Sequence, residues 1–199
     1  MKILGILGGI ASGKSEVARQ FAELGAGVLD ADRAGHAVLQ MPQIEAAARA
    51  RWGDAVFGPD GRIDRAKLAK IVFAAPPEGP REREFLEKLT HLEIARLLHR
   101  QADQMAAAGR QVAILDAPLL LEAGWDKLCD MLIFVHAPRE VRLARARRRG
   151  WDEGEFAARE AAQESLDFKR QRADVVIDNS GSPQQTRAQV ERFWRSLVG

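Results

Sequence analysis

The first apolar run is Lys-Ile-Leu-Gly-Ile-Leu at 2–7, and its continuity predicts a short buried strand. After a glycine-rich turn, Val17, Ala18, Phe21 and Leu24 recur at helical spacing. They predict a helix from Lys14 to about Leu24, ended by Gly25 and Gly27. Val28-Leu29-Asp30 reads as the next strand, closing in Asp30-Ala31-Asp32. The order strand, turn, helix, strand implies a parallel α/β sheet. Residues 33–108 read as mostly helix, with breaks at 41–42, 57–61 and 75–80. Within them, 81–108 carries one long amphipathic pattern from Phe85 to Met105, stopped by Gly109. Strand patterns return at 111–116, 131–135 and 174–178. Residues 139–172 are helical and very polar, broken at Gly150, and 184–198 close the chain as a helix. The pattern therefore holds five strands in an α/β core (about 1–35, 109–138 and 173–199), with inserted helical segments at about 36–108 and 139–172.

Composition narrows this reading. A chain of 199 residues suits one domain and buries enough core to fold without disulfides or metal. The net charge of +2 excludes a nucleic-acid binder driven by overall charge. Cys129 is the only cysteine, so neither an internal disulfide nor a cysteine zinc site can form, which fits a reducing cytoplasm. No apolar run approaches the ~20 residues of a membrane span. The first eleven residues resemble a short signal peptide, but Lys14 follows at once and no small-residue cleavage site comes after it.

The chemistry begins at Gly8-Gly9-Ile10-Ala11-Ser12-Gly13-Lys14-Ser15, which matches G-x-x-x-x-G-K-[ST] between a predicted strand and a predicted helix. Glycines let backbone N–H groups curl around a β-phosphate, and the helix aims its positive end at the same group. Lys14 is expected to reach the β- and γ-phosphate oxygens of ATP, and Ser15 to offer a hydroxyl to Mg²⁺. Glu16, in the first helical turn, adds a carboxylate where the dipole favours one.

A guanine reader of the form N-K-x-D cannot exist, because Asn179 is the only asparagine. The chain is also too short for a motor or transporter ATPase. A small kinase remains, with a core, an acceptor-binding insertion and an arginine-rich lid. The lid candidate is 139–149, with six arginines and one glutamate, and so +5 of the chain's +2 total. Helical spacing puts Arg142, Arg145 and Arg149 on one face, where they would neutralise a transferring phosphoryl group. Arginine outnumbers lysine 23 to 7, so a single arginine carries little weight alone. A kinase also needs a carboxylate at the acceptor hydroxyl. Asp32, past the apolar run of the second strand, is better placed than Asp30, and an N-cap role is its structural alternative. Asp116 ends the third strand as a water-mediated Mg²⁺ ligand would, or as a strand-end turn residue.

These residues resemble the dephospho-coenzyme A kinase family. The resemblance spans nearly the whole chain and rests on the phosphate loop and on Asp30-Ala31-Asp32 with His36. It also rests on Pro118-Leu119-Leu120-Leu121-Glu122, on Arg159-Glu160-Ala161-Ala162-Gln163, and on Ala173 through Gly181. It implies a three-layer fold with a five-stranded parallel sheet, a helical acceptor domain and a lid. It implies transfer of the ATP γ-phosphate to the 3′-hydroxyl of dephospho-coenzyme A, with Asp32 as the acceptor carboxylate. Nucleotide contacts are expected to extend to Arg142, Arg145 and Asn179, and acceptor contacts to His36 and His91. The expected enzyme is cytoplasmic, a monomer or small homo-oligomer, and acts without nucleic acid or membrane. Two departures stand out. His91 is followed by Leu92, where the family usually has proline, and Glu16 stands where threonine is usual. Another small-molecule kinase and a non-catalytic nucleotide-binding regulator are the rival readings.

Overall fold

The computed structural model describes all 199 residues. Five strands form one sheet: β1 (Lys2–Gly8), β2 (Gly27–Asp30), β3 (Val112–Asp116), β4 (Met131–His136) and β5 (Val175–Asp178). Their order is β2-β3-β1-β4-β5, and every pairing is parallel. The chain leaves β1 toward β2 and β3, then crosses to β4 and β5. The carboxyl end of β1 is therefore the topological switch point, where open α/β sheets bind ligands.

Contacts divide the chain into two units, Met1–Asp30 with Gln101–Gly199, and Ala31–Arg100. The first holds the sheet. Between β1 and β2 runs α1 (Lys14–Glu23). Its Val17, Ala18 and Phe21 pack with Leu4, Ile6, Ile114, Ile133, Val135, Ile177 and Val190, all buried. The even positions of β1 supply one face of this core, as strand alternation requires. The C-terminal helix closes the same cluster, with Phe193 edge-on to Phe21 at 6.2 Å between centroids. The other face of β1 has no room for a side chain at Gly5. A Cβ there would stand 2.8 Å from both Cys129 Sγ and Leu132 Cδ2.

The second unit contains α2 (Ala31–Leu39), α3 (Pro42–Trp52), α4 (Arg65–Val72) and most of α5 (Glu78–Ala107). It has its own core of Ala48, Val56, Phe57, Leu68 and Val72. The sequence places the insertion at 36–108, whereas this unit runs from 31 to 100. Ala31, Ala34 and Val38 are buried at helical spacing, so α2 starts directly where β2 ends. At the other end, α5 returns to the sheet unit, where Met105 fills the space a Cβ on Gly27 would need. The break expected at 75–80 is shorter than the sequence suggests, because α5 begins at Glu78. Pro80 is tolerated there since first-turn N–H groups have no partner within the helix.

Beyond β4 follow α6 (Arg139–Arg147), α7 (Glu153–Ala161), α8 (Leu166–Gln171) and, after β5, α9 (Pro183–Val198). A capping box of Ser182 and Gln185 starts α9. No helix is long and apolar enough to cross a membrane.

Candidate functional site

The loop after β1 turns through Gly8 (φ 151°), Ala11 (φ 57°) and Gly13 (φ 97°) before α1 begins. Only glycine adopts the first and third of these without strain. Both are also crowded: a Cβ on Gly8 would stand 2.7 Å from Ser12 Oγ, and one on Gly13 would collide with the Asn179 amide. Gly13 caps α1 without any side-chain hydrogen bond, so its first-turn N–H groups are left for an anion. Ser12 is 1% exposed and its Oγ has no hydrogen-bond partner. A buried hydroxyl without a partner, beside an uncapped helix, is what a phosphate group would satisfy.

Lys14 folds back over the loop and donates to the carbonyls of Gly8 (3.1 Å) and Gly9 (3.2 Å). Burial and then the ammonium of Lys169 push its pKa down to about 8, against the opposing pull of Asp116 and Glu122. Ser15 is exposed on the first turn of α1. Glu16 accepts from Arg19 and Gln20 on the same helix, and the Arg19 hydrogen bond holds its carboxyl below the usual range.

The loop is clamped from behind. Asn179, just past β5, donates Nδ2 to the Ser12 carbonyl at 2.7 Å and accepts from Thr186 Oγ1 at 2.9 Å. Arg145 donates to the same Ser12 carbonyl (3.0 Å) and to the Asn179 carbonyl (2.7 Å). Arg142, 3% exposed, donates Nε to Ala137 O at 3.1 Å and pairs with Glu160 at 2.6 Å. Its guanidinium also lies against the loop, since a Cβ on Gly9 would stand 3.0 Å from its Nη1. The expected arginine face is therefore different in kind. Arg142 and Arg145 grip backbone carbonyls and a carboxylate. Arg149 is not on α6, because that helix ends at Arg147. Continuous helical spacing from 139 to 149 overruns a turn that Gly150 (φ 83°) completes.

The carboxylates fall at the sheet's carboxyl edge. Asp116 ends β3, and its register partner on β2 is Asp30. Parallel partners project to the same side of a sheet, so the two carboxylates share a face. Asp116 is within electrostatic reach of Lys14. Asp32 is not a strand-end residue; it lies in the first turn of α2, in the second unit. His36 follows it at i+4, both are exposed, and the spacing puts them on one helix face. His91 is half-buried on α5 of the same unit.

Four residues outside the expected site residues belong to this region. Glu160 anchors Arg142, Glu122 pairs with Lys169 at 3.2 Å, and Thr186 orients Asn179. Glu122 and Glu160 stand in segments that carry the family resemblance. Lys169 has no local signal, being one polar residue among many in 139–172. No group of three His, Cys, Asp or Glu residues forms a ready metal cage. Ser15 and Asp116 each offer a hard oxygen donor, a hydroxyl and a carboxylate, of the kind Mg²⁺ takes alongside phosphate oxygens and water.

Comparison with known proteins gives the following. A family profile described as dephospho-CoA kinase matches residues 2–185. A dephospho-CoA kinase of Symbiobacterium thermophilum is 44% identical, over 100% of this chain and 82% of its own length. One from Bacillus licheniformis is 42% identical over 96% of this chain and 94% of its own. The crystal structure of TT1252 from Thermus thermophilus superposes with a TM-score of 0.83 at 34% identity, covering 100% of this chain and 98% of the other.

Proposed function

The chain belongs to the dephospho-CoA kinase family, and from that membership we infer that it transfers the γ-phosphate of ATP to the 3′-hydroxyl of dephospho-coenzyme A, giving coenzyme A and ADP. The single observation that carries this reading is the match of residues 2–185, which spans both units. The test is ADP release with ATP and Mg²⁺ against a panel of acceptors: dephospho-coenzyme A, nucleosides, sugar acids and shikimate. Turnover with dephospho-coenzyme A alone supports the assignment. Turnover with another acceptor and none with this one overturns it, and no turnover with any acceptor favours a binding regulator.

We assign the roles as follows. The N–H groups of Gly8 through Ser15, with the buried Ser12 hydroxyl, take the β-phosphate, and the Lys14 ammonium offsets charge on the β- and γ-oxygens. Arg142, Arg145 and Asn179 hold that loop in shape by occupying its carbonyls, which leaves the N–H groups facing the nucleotide. Ser15 and Asp116 would hold Mg²⁺, directly or through water, and the bound ion would neutralise charge on the phosphates. Asp32 orients the 3′-hydroxyl, with His36 on the same helix face and His91 as contacts to the acceptor. In the transfer the 3′-oxygen bonds to the γ-phosphorus as its bond to the β,γ-bridging oxygen breaks. The hydroxyl proton passes to the Asp32 carboxylate and ADP leaves. We further infer a cytoplasmic enzyme, a monomer or small homo-oligomer, that acts on small molecules without nucleic acid or membrane.

The lowered pKa of Lys14 makes nucleotide binding pH-dependent. Free Lys14 titrates at about 8. Bound polyphosphate favours the charged amine and raises that value. Above pH 8 the free protein must take up a proton to bind, so affinity falls with pH, approaching tenfold per unit. Titration calorimetry between pH 7 and 9.5, in buffers of different ionisation enthalpy, is expected to show this weakening together with proton uptake. A Lys14→Arg variant is expected to show neither.

A further inference from the structure

Lys169 sits on α8, three residues beyond Leu166 and so on the same helix face. Leu166 lies directly on the phosphate loop: a Cβ added to Gly9 would stand 2.9 Å from its Cδ2. The side chain carrying this ammonium is one of the chain's few buried charges, at 2% exposure. Its Nζ pairs with Glu122 Oε1 at 3.2 Å and donates to Gln163 Oε1 at 3.3 Å. Glu122 Oε1 also accepts the backbone N–H of Glu164 at 3.0 Å. The carboxylate that follows β3 thus holds both the loop before α8 and the lysine upon it.

Joining α8 to the core does not require a buried charge; apolar contact would do that at lower desolvation cost. What the buried ammonium adds is a second cation near Lys14. Lys14 lies over the same loop that α8 touches through Leu166, so the two like charges repel. Two ammonium groups beside one phosphate loop are costly alone and favourable around a polyanion. Burial works to raise the carboxyl pKa of Glu122, yet the Glu164 N–H, its own N–H and Lys169 together hold it below the usual range, so it stays ionised.

We propose that Lys169 is a second ammonium of the nucleotide site, held ready by Glu122 and Gln163, which engages the terminal phosphates of ATP when nucleotide binds. The proposal rests on reading the 8–15 loop as an ATP site. It makes α8, in addition to the 8–15 loop, a source of phosphate contacts.

The test compares affinities for ATP, ADP and AMP, measured calorimetrically with Mg²⁺ on the full chain. The variants are Lys169→Met, Lys169→Arg, and Lys169→Met with Glu122→Gln. Lys169→Met is expected to weaken ATP by at least roughly tenfold, a typical loss for one charge-assisted contact, and AMP by less than about twofold. Lys169→Arg is expected to retain ATP binding within about threefold, since it keeps the charge. The double variant removes the unpaired Glu122 carboxylate, so it tests the contact free of a buried-charge penalty. Its ATP affinity is expected to stay low. Equal losses for all three nucleotides, or recovery of ATP binding in the double variant, would show a purely structural latch and overturn the proposal. The functional reading fails separately, if the wild-type protein binds ATP but phosphorylates a different acceptor.

Discussion

Lys14→Met is expected to lower kcat/KM for ATP by about 10³-fold while the protein still folds. Methionine matches the length of the lysine stem but carries no charge and no donor. The Lys14 ammonium lies over the loop, bonded to the Gly8 and Gly9 carbonyls. It therefore needs little reorganisation to meet the phosphates that bind there, and such preorganised charge is where most electrostatic stabilisation of a transition state arises. Part of its value is realised only as charge spreads onto the γ-phosphoryl oxygens, so the loss should appear in kcat as well as in KM. Folding is expected to survive because burial already disfavours this ammonium, which lowers its pKa to about 8. A coupled assay of ADP release, with circular dichroism to follow the thermal midpoint, checks both halves. A loss below tenfold in a folded variant would show that the phosphates are held elsewhere.

The phosphate loop is legible in the sequence because its chemistry is backbone chemistry. Gly8 and Gly13 stand where the chain must take positive φ and where a Cβ would strike Ser12 and Asn179. The strands are legible for a related reason: parallel strands buried on both faces leave continuous apolar runs, and all five appear within about two residues of their observed ends. The arginine-rich segment is read less well. Periodicity on a polar helix reports which residues share a face, but not what that face meets. Arg142 and Arg145 meet carbonyls of the loop and of Asn179, partners more than thirty residues away or more than a hundred. The same limit hides Lys169, whose importance comes from Glu122, 47 positions earlier. The strand end expected at Asp32 fails locally, because three small or branched apolar residues at 31, 34 and 38 start a helix at once.

That shift of Asp32 from strand to helix sharpens the second large expectation: Asp32→Asn is expected to lower kcat on the order of 10²-fold, with ATP affinity little changed. Asparagine keeps the shape and can still accept one hydrogen bond from a hydroxyl, but it cannot take the proton. The carboxylate lies in the first turn of α2, where the helix dipole favours a negative charge. It is also exposed, so its loss should not disturb a core. Asp30 offers the contrast. It ends β2 in register with Asp116, a proposed metal ligand, and on the same face of the sheet. Asp30→Asn should therefore act through Mg²⁺ dependence, and Asp32→Asn through the acceptor. Measuring kcat at saturating dephospho-coenzyme A, and the activity of each variant against Mg²⁺ concentration, separates the two. If Asp32→Asn keeps full kcat while Asp30→Asn loses it, the hydroxyl is met from the sheet edge and the role moves to Asp30. If both keep it, positioning alone drives the transfer, as a loose phosphoryl transition state permits.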